Sequence, residues 1–476
     1  MSALTRRPAL LVAAVTGAVL LVTAGRYGYH RDELYFLEAG RHLAWGYPDQ
    51  PPVVPVVARA MTDLVPGSLV SLRVPSALIA AGVVLLAGLM AQRLGAGRGG
   101  QTLAAASTAL SGVVLGMGHL LSTATFDLLG WTVLTYLLVR LLQGGQSRLW
   151  LLVGLVAGAT LLANVLVAFL LVAFAVSVLL VGPRRLLRSP GQWVAAGTVA
   201  MLLGLPYLIW QVHHGLPQLE VARNIAGGGS GTSSSRILFL PLLILQVGPW
   251  LLPVWMCGLV ALWRDAALRS LALSFVVLLV TFLVTGGKPY YLAGLIPLLL
   301  AAGAQPFLDW VRRPWVAPAL LTLSAPALLV VLPLLPVRWA GPVVPVNYDA
   351  GETIGWPQLV QQVATVYRTL PAGSAIVTGN YGQAGAIDRF GPALGLPRAF
   401  SGHNGYADWG HPPDAVPVLA VGVDPQLLHR TCEELRPAGQ LVNAFGIDNH
   451  ENGTRMSFCV PRQPWQETWP RFSHVG

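Results

Sequence analysis

Tyr29-His30-Arg31-Asp32-Glu33-Leu34-Tyr35-Phe36 opens a stretch that continues through Trp45-Gly46-Tyr47-Pro48-Asp49-Gln50-Pro51-Pro52. It follows directly on Leu10 to Ala24, an uncharged apolar run of the kind that enters a bilayer. Two adjacent carboxylates, flanked by Arg31 and His30, therefore sit at the mouth of a membrane helix. Charged groups near a bilayer are costly, so a cluster of them points to function. The competing reading is a solvated loop that merely ends a helix. The rest of the chain decides between the two.

Composition sets the class. Hydrophobic residues make up 54% and charged residues 11%, with a mean hydropathy of +0.62. Soluble domains average about 25% charged residues. The chain reads as a polytopic α-helical membrane protein. A net charge of +10 would suit a nucleic-acid partner. The arginines fall in short loops between spans, however, where they report orientation, so no nucleic acid is expected. Three cysteines are too few for a disulfide-rich scaffold. Arg6-Arg7 and the apolar run after them resemble a signal peptide, but no convincing small-residue cleavage site follows, so a retained first helix is expected.

Spans are expected at about 8–25, 69–92, 102–119, 123–142, 149–163, 165–182, 192–211, 237–262, 267–285, 290–308 and 315–337. The fifth and sixth are short and parted only by Asn164, so they could form a tight hairpin or one re-entrant unit. Arg6 and Arg7, Arg93 and Arg98, Arg140 and Arg148, Arg184, Arg185 and Arg188, Arg264 and Arg269, and Arg312 and Arg313 all fall on one side of this arrangement. The positive-inside rule makes that side cytoplasmic. The N-terminus is then cytoplasmic, and the region after residue 338 lies outside. The first loop (26–68), the His119 turn, the loop from Gln211 to Arg236, and Gly286-Gly287-Lys288-Pro289-Tyr290-Tyr291 share that outer side. The loop includes the flexible stretch Gly227 to Ser235, either a passive linker or a flap. Much Arg, Ala and Gly suggests a GC-rich bacterial genome, hence a bacterial plasma membrane.

Two domains follow: residues 1–337 in the membrane and 338–476 outside it. In the second, strands are expected at Ala375–Thr378, Val416–Val423, Gln440–Phe445 and Met456–Val460. A turn and short helix are expected within Gly379–Phe390, and a helix over Pro425–Leu435. Strands alternating with helices suggest a small α/β domain. Cys432 and Cys459 share the oxidising side and could pair, whereas Cys257 lies within a span.

The candidate chemistry is carboxylate plus cation. Lys288 is the only lysine in the chain, and at the outer end of a span it suits a phosphate contact. A snorkelling lysine beside belt tyrosines is the plainer alternative. Asp127 heads an otherwise apolar helix, where it could serve the site or simply favour the helix dipole. Carboxylates with one cation on the outer face fit sugar transfer from a lipid-linked phosphate. A carboxylate base takes the acceptor's proton, and positive charge receives the departing phosphate. Clustered acids could also bind a divalent cation, although no ligand spacing demands one, and no other cofactor is indicated.

The Asp32-Glu33 loop after a first helix, Asp127 opening a later one, and Lys288-Pro289-Tyr290-Tyr291 together resemble glycosyltransferase family 39, which has the GT-C fold. Asn380-Tyr381-Gly382-Gln383-Ala384, Ser401-Gly402-His403-Asn404 and Trp409-Gly410 are similar to the C-terminal domain of uncharacterised bacterial members. The resemblance implies an inverting transfer of a sugar, a mannose-like hexose or a pentose, from a polyprenyl-monophosphate donor. The acceptor would be a hydroxyl on a protein, polysaccharide or lipid at the outer face. It implies Asp32 as base, with Glu33 as its acidic neighbour and Asp127 as a second acid. Lys288 would lie near the lipid phosphate, with Tyr290, Tyr291, Arg31 and His30 around the substrate. A transporter or flippase of lipid-linked glycans is the alternative. It would call for internal repeats and polar groups at mid-membrane, which are not seen.

Overall fold

The structure is a computed structural model that describes residues 7–188, 190–228 and 235–476. Arg6 and most of the low-complexity stretch, Gly229 to Ser234, lie outside the described residues. Each expected span has a helical counterpart, but the lengths differ from expectation. Among the described residues, four helices are long and apolar enough to cross a bilayer alone: Leu69–Arg93, Thr123–Leu142, Pro190–His213 and Pro289–Val311. Arg7–Thr23, Leu149–Leu161, Val167–Val181, Arg269–Thr285 and Val316–Val331 are shorter apolar helices.

Three expected spans are broken. Residues 98–119 form two helices, Arg98–Ala109 and Gly112–His119. The expected span 237–262 bends by 86° between Arg236–Val247 and Pro249–Arg264. Gly248 stands at that bend with φ +119°, a conformation that side chains resist, and Pro249 cannot continue the preceding helix. The last expected span pauses between Ser324 and Ala327, around Pro326. Elsewhere small residues let helices touch. A Cβ on Gly258 would strike the Leu299 carbonyl oxygen, and one on Gly303 would strike that of Val254. Leu252–Arg264 and Ile296–Val311 are therefore packed backbone to backbone.

The C-terminal region carries a five-stranded mixed sheet. Its strands are β1 (Ala375–Thr378), β2 (Ala399–Ser401), β3 (Val418–Val421), β4 (Cys432–Gln440) and β5 (Arg455–Pro461), in the order β2-β1-β3-β5-β4. β1 pairs in parallel with β2 and β3, while β5 runs antiparallel to β3 and β4. Two expectations fail here. The helix from Pro425 ends at Thr431, and residues 432–440 form a strand, not the helix end expected to Leu435. Residues 441–445 are not a strand. Cys432 and Cys459 form a disulfide that ties the start of β4 to β5.

The first loop does not stand apart from this domain. Tyr29, Leu34, Tyr35 and Phe36 share one buried cluster with Trp356, Ile376, Ala384, Ile387 and Leu419. A Cβ on Gly385 would lie 2.9 Å from Leu34, so the helix Tyr381–Phe390 presses directly on the loop helix Arg31–Ala39. The acidic loop is thus held between the membrane helices and the sheet domain.

Candidate active site

The loop helix begins with a reciprocal cap. The His30 ring accepts from the Asp32 amide at 3.2 Å, and Glu33 Oε2 accepts from the His30 amide at 2.8 Å. This cap sends the two adjacent acids to different places. Glu33 is fully buried. Its oxygens take Arg73 Nε at 2.8 Å and Nη2 at 2.7 Å, together with the Leu121 amide at 3.0 Å. Arg73 also donates to the carbonyls of Ala24 and Gly28 and meets His119 Nε2 at 3.2 Å. Glu33, expected beside the base, is instead a tether that fastens the loop to the membrane helices. Arg73 was not singled out from the sequence, although a lone arginine near the end of an apolar helix requires a partner.

Asp32 faces the other way. It lines a cavity of about 1480 Å³, and its side chain remains 38% exposed. Tyr381 donates to Asp32 Oδ1 at 2.7 Å. His30 Nδ1 is 3.7 Å from Oδ2, and His30 Nε2 is 3.7 Å from Asp349 Oδ1. Burial works against a charge on His30 while Asp32 and Asp349 favour one, but the Asp32 amide donating to Nδ1 requires that nitrogen to be unprotonated, so in this geometry the ring is neutral with its proton on Nε2, facing Asp349. Arg31 lies over the Tyr381 ring at 4.8 Å, with Glu352 at 3.7 Å and His450 at 3.3 Å. The same cavity wall carries Lys288 and Tyr290. Gly286, at φ +76°, ends the preceding helix, and Pro289 starts the next turn, so Lys288 sits extended between two helices. Burial lowers the proton affinity of its amine, a pull that Asp32 and Asp349 partly offset and Arg31 reinforces.

The rest of the lining has two characters. Val113, Met117, Leu242, Leu245, Trp250 and Val331 contribute apolar surface from membrane helices. Asn380, Tyr381, Gln383, His403, Asn404 and Arg455 contribute polar surface from the C-terminal domain. Such a cavity can hold an apolar chain and a polar head at once.

Asp49 also lines it, accepting from Tyr35 at 2.8 Å. Burial is the main cause that raises its carboxyl to about 7, against the lowering pull of the Tyr35 hydroxyl. Asp49 was quoted in the opening stretch but not placed in the expected site. Its signal was its position before two prolines, at the close of that stretch. His403 and Asn404, quoted above for their resemblance to the C-terminal domain of bacterial members, line the cavity. Burial and the neighbouring His474 push His403 down to about 3.

Besides Glu33, two expected residues stand apart from the cavity. Asp127 is buried in the first turns of Thr123–Leu142 beside Trp131, and it is absent from the cavity lining. That helix is capped by Ser122, whose hydroxyl accepts from the Thr125 amide, so Asp127 is not the cap. Tyr291 packs on Phe282 and Tyr290 outside the lining. Among the described residues, no group of three or more His, Cys, Asp or Glu is placed to hold a metal ion.

Over most of its length the structure resembles ArnT from Cupriavidus metallidurans. For the apo form the TM-score is 0.61 at 15% identity, covering 94% of this chain and 97% of the other. The form of that protein bound to undecaprenyl phosphate gives 0.59 at 16%, with the same coverage. The chain has the GT-C fold. Residues 49–210 also match the family described as dolichyl-phosphate-mannose-protein mannosyltransferase. That match takes in Asp49 and Asp127 but neither Asp32 nor Lys288. The Archaeoglobus fulgidus oligosaccharyltransferase is a more distant likeness, with TM-score 0.45 and 14% identity over 82% of this chain and 62% of that one. No curated protein matches the chain. The family match over the early spans and the GT-C fold over nearly the whole chain agree on a membrane glycosyltransferase.

Proposed function

We propose that this GT-C protein moves a sugar from a polyprenyl-monophosphate donor to an acceptor hydroxyl, with inversion at the anomeric carbon. The observation that carries the reading is one cavity lined by Asp32, by Lys288 and by apolar side chains of the membrane helices. The prenyl chain would lie along the apolar wall, which brings its phosphate to Lys288 and Arg31. The acceptor oxygen attacks the anomeric carbon and gives its proton to Asp32 as the bond to the phosphate oxygen breaks. The electron pair leaves with the polyprenyl phosphate, whose growing negative charge meets the Lys288 ammonium and the Arg31 guanidinium. Asp49, His403 and Asn404 remain for the sugar and acceptor hydroxyls. A mannose-like hexose or a pentose fits the reading, and the acceptor would be a protein, polysaccharide or lipid.

The site would face the extracytoplasmic side of a bacterial plasma membrane, with the N-terminus cytoplasmic. The one-sided arginine loops and the Cys432–Cys459 disulfide support that orientation. The test is sugar transfer from radiolabelled polyprenyl-phosphate donors by membranes carrying wild type or Asp32→Asn. Transfer by wild type and a loss of at least a hundredfold in the variant is expected. Full activity in Asp32→Asn would sink the proposal. The same assay with EDTA tests whether a divalent cation joins Lys288 and Arg31 at the phosphate.

A further inference from the structure

We infer that Tyr381, contributed by the C-terminal domain, is a positioning residue for transfer, because its hydroxyl holds the Asp32 carboxylate in its working orientation. The inference rests on the reading of Asp32 as the base. A base must present one oxygen steadily to the acceptor hydroxyl, and misplacement is costly in rate. Asp32 is a poor candidate for self-orientation, because its side chain is 38% exposed within a wide cavity. Tyr381 removes that freedom. Its hydroxyl donates to Oδ1 at 2.7 Å, which leaves Oδ2, 3.7 Å from His30 Nδ1 and beyond hydrogen-bond reach of it, for the acceptor.

The tyrosine is itself held on three sides. The Arg31 guanidinium lies 4.8 Å from its ring centroid, Tyr35 at 4.9 Å and His403 at 4.6 Å. Arg31 in turn is fixed from behind by the buried Glu352 and by His450. The helix that carries Tyr381 is pinned as well. Asn380 caps it by accepting from the Gln383 amide at 2.9 Å, and both amide side chains donate to Glu451, at 3.1 and 2.6 Å. Gly382 permits the approach, since a Cβ there would come within 3.0 Å of Arg31 Cβ. The stretch Asn380-Tyr381-Gly382-Gln383 thus has a role for each residue, and all four roles converge on Asp32. A surface turn would need none of them.

The experiment uses the full-length protein in detergent or membranes. The donor is whichever member of a polyprenyl-phosphate panel (mannose, glucose or arabinose) the wild type consumes. Tyr381→Phe keeps the ring, and with it the Arg31 contact, but removes the hydroxyl. A drop in kcat of about tenfold is expected, with donor KM within twofold and an unchanged melting temperature. A purely structural role would instead lower the melting temperature or raise KM together with any loss in kcat. Tyr381→Leu, which also removes the aromatic partner of Arg31, is expected to lose more kcat than Tyr381→Phe. Wild-type kcat in Tyr381→Phe, beside an inactive Asp32→Asn, would overturn this inference alone. An active Asp32→Asn, or a wild type that consumes no donor in the panel, would overturn the reading beneath it.

Discussion

Arg73 grips both oxygens of Glu33, at 2.8 and 2.7 Å, inside a part of the protein from which water is excluded. Asp32, one residue earlier, points into the cavity. Adjacent acids in one turn of helix therefore face opposite ways, one into a buried ion pair and the other into the cavity.

Breaking the Glu33–Arg73 pair from either side leaves an uncompensated buried charge. Such losses cost about 3–5 kcal/mol. Arg73→Ala is expected to lower the melting temperature in detergent sharply and to reduce the yield of folded protein. Glu33→Gln, which can keep some of the hydrogen bonds, should be milder. A Glu33→Gln protein of normal stability that had lost all transfer would contradict the tether role.

Asp49 makes stability depend on pH. Its folded-state carboxyl titrates near 7, whereas an unfolded aspartate titrates near 3.9. Between those values the folded state binds the extra proton, so stability falls as pH rises from about 4 to 7. The slope has an upper limit of about 1.4 kcal/mol per pH unit. Asp49→Asn, which cannot ionise, should flatten this decline in melting curves taken from pH 5 to pH 8. A wild-type slope unchanged by the substitution would assign the pH dependence elsewhere.

Gly303 faces the Val254 carbonyl with no space for a side chain. Gly303→Ala is expected to push Leu252–Arg264 away from Ile296–Val311 at a cost of about 1–3 kcal/mol. A control at Gly82, where a Cβ meets nothing within 4 Å, should be close to neutral. Equal melting temperatures for the two variants would argue against the close packing.

The disulfide Cys432–Cys459 spans 27 residues and ties β4 to β5. Closing a loop of that size is worth about 2–4 kcal/mol. Replacing both cysteines with serine should make the C-terminal domain more sensitive to protease. Since that domain holds Tyr381 against Asp32, transfer should weaken in parallel. Unaltered proteolysis in the variant would show that the bond adds little.

The apolar runs, the one-sided arginines and the acidic stretch after the first run were legible because each depends on composition over a local window. Solvation by the bilayer acts on every residue of such a window alike. The breaks at Gly248 and around Pro326 were less legible, since a hydropathy window averages over a bend. The strand Cys432–Gln440 was hidden for another reason. Its burial pattern is almost wholly solvent-facing, and it gains its form from pairing with β5.

By itself the sequence determined that this is a multi-pass helical membrane protein with an α/β tail, and it singled out Asp32, Glu33, Asp127 and Lys288 as charges set against that apolar background. Tertiary structure decided which charges meet. Glu33 finds Arg73 40 residues away, and Asp32 finds Tyr381 349 residues away. Asp127, equally conspicuous in the sequence, turns inward beside Trp131. A local pattern reports how much a charge costs near a membrane; only the packed chain supplies the partner that offsets that cost.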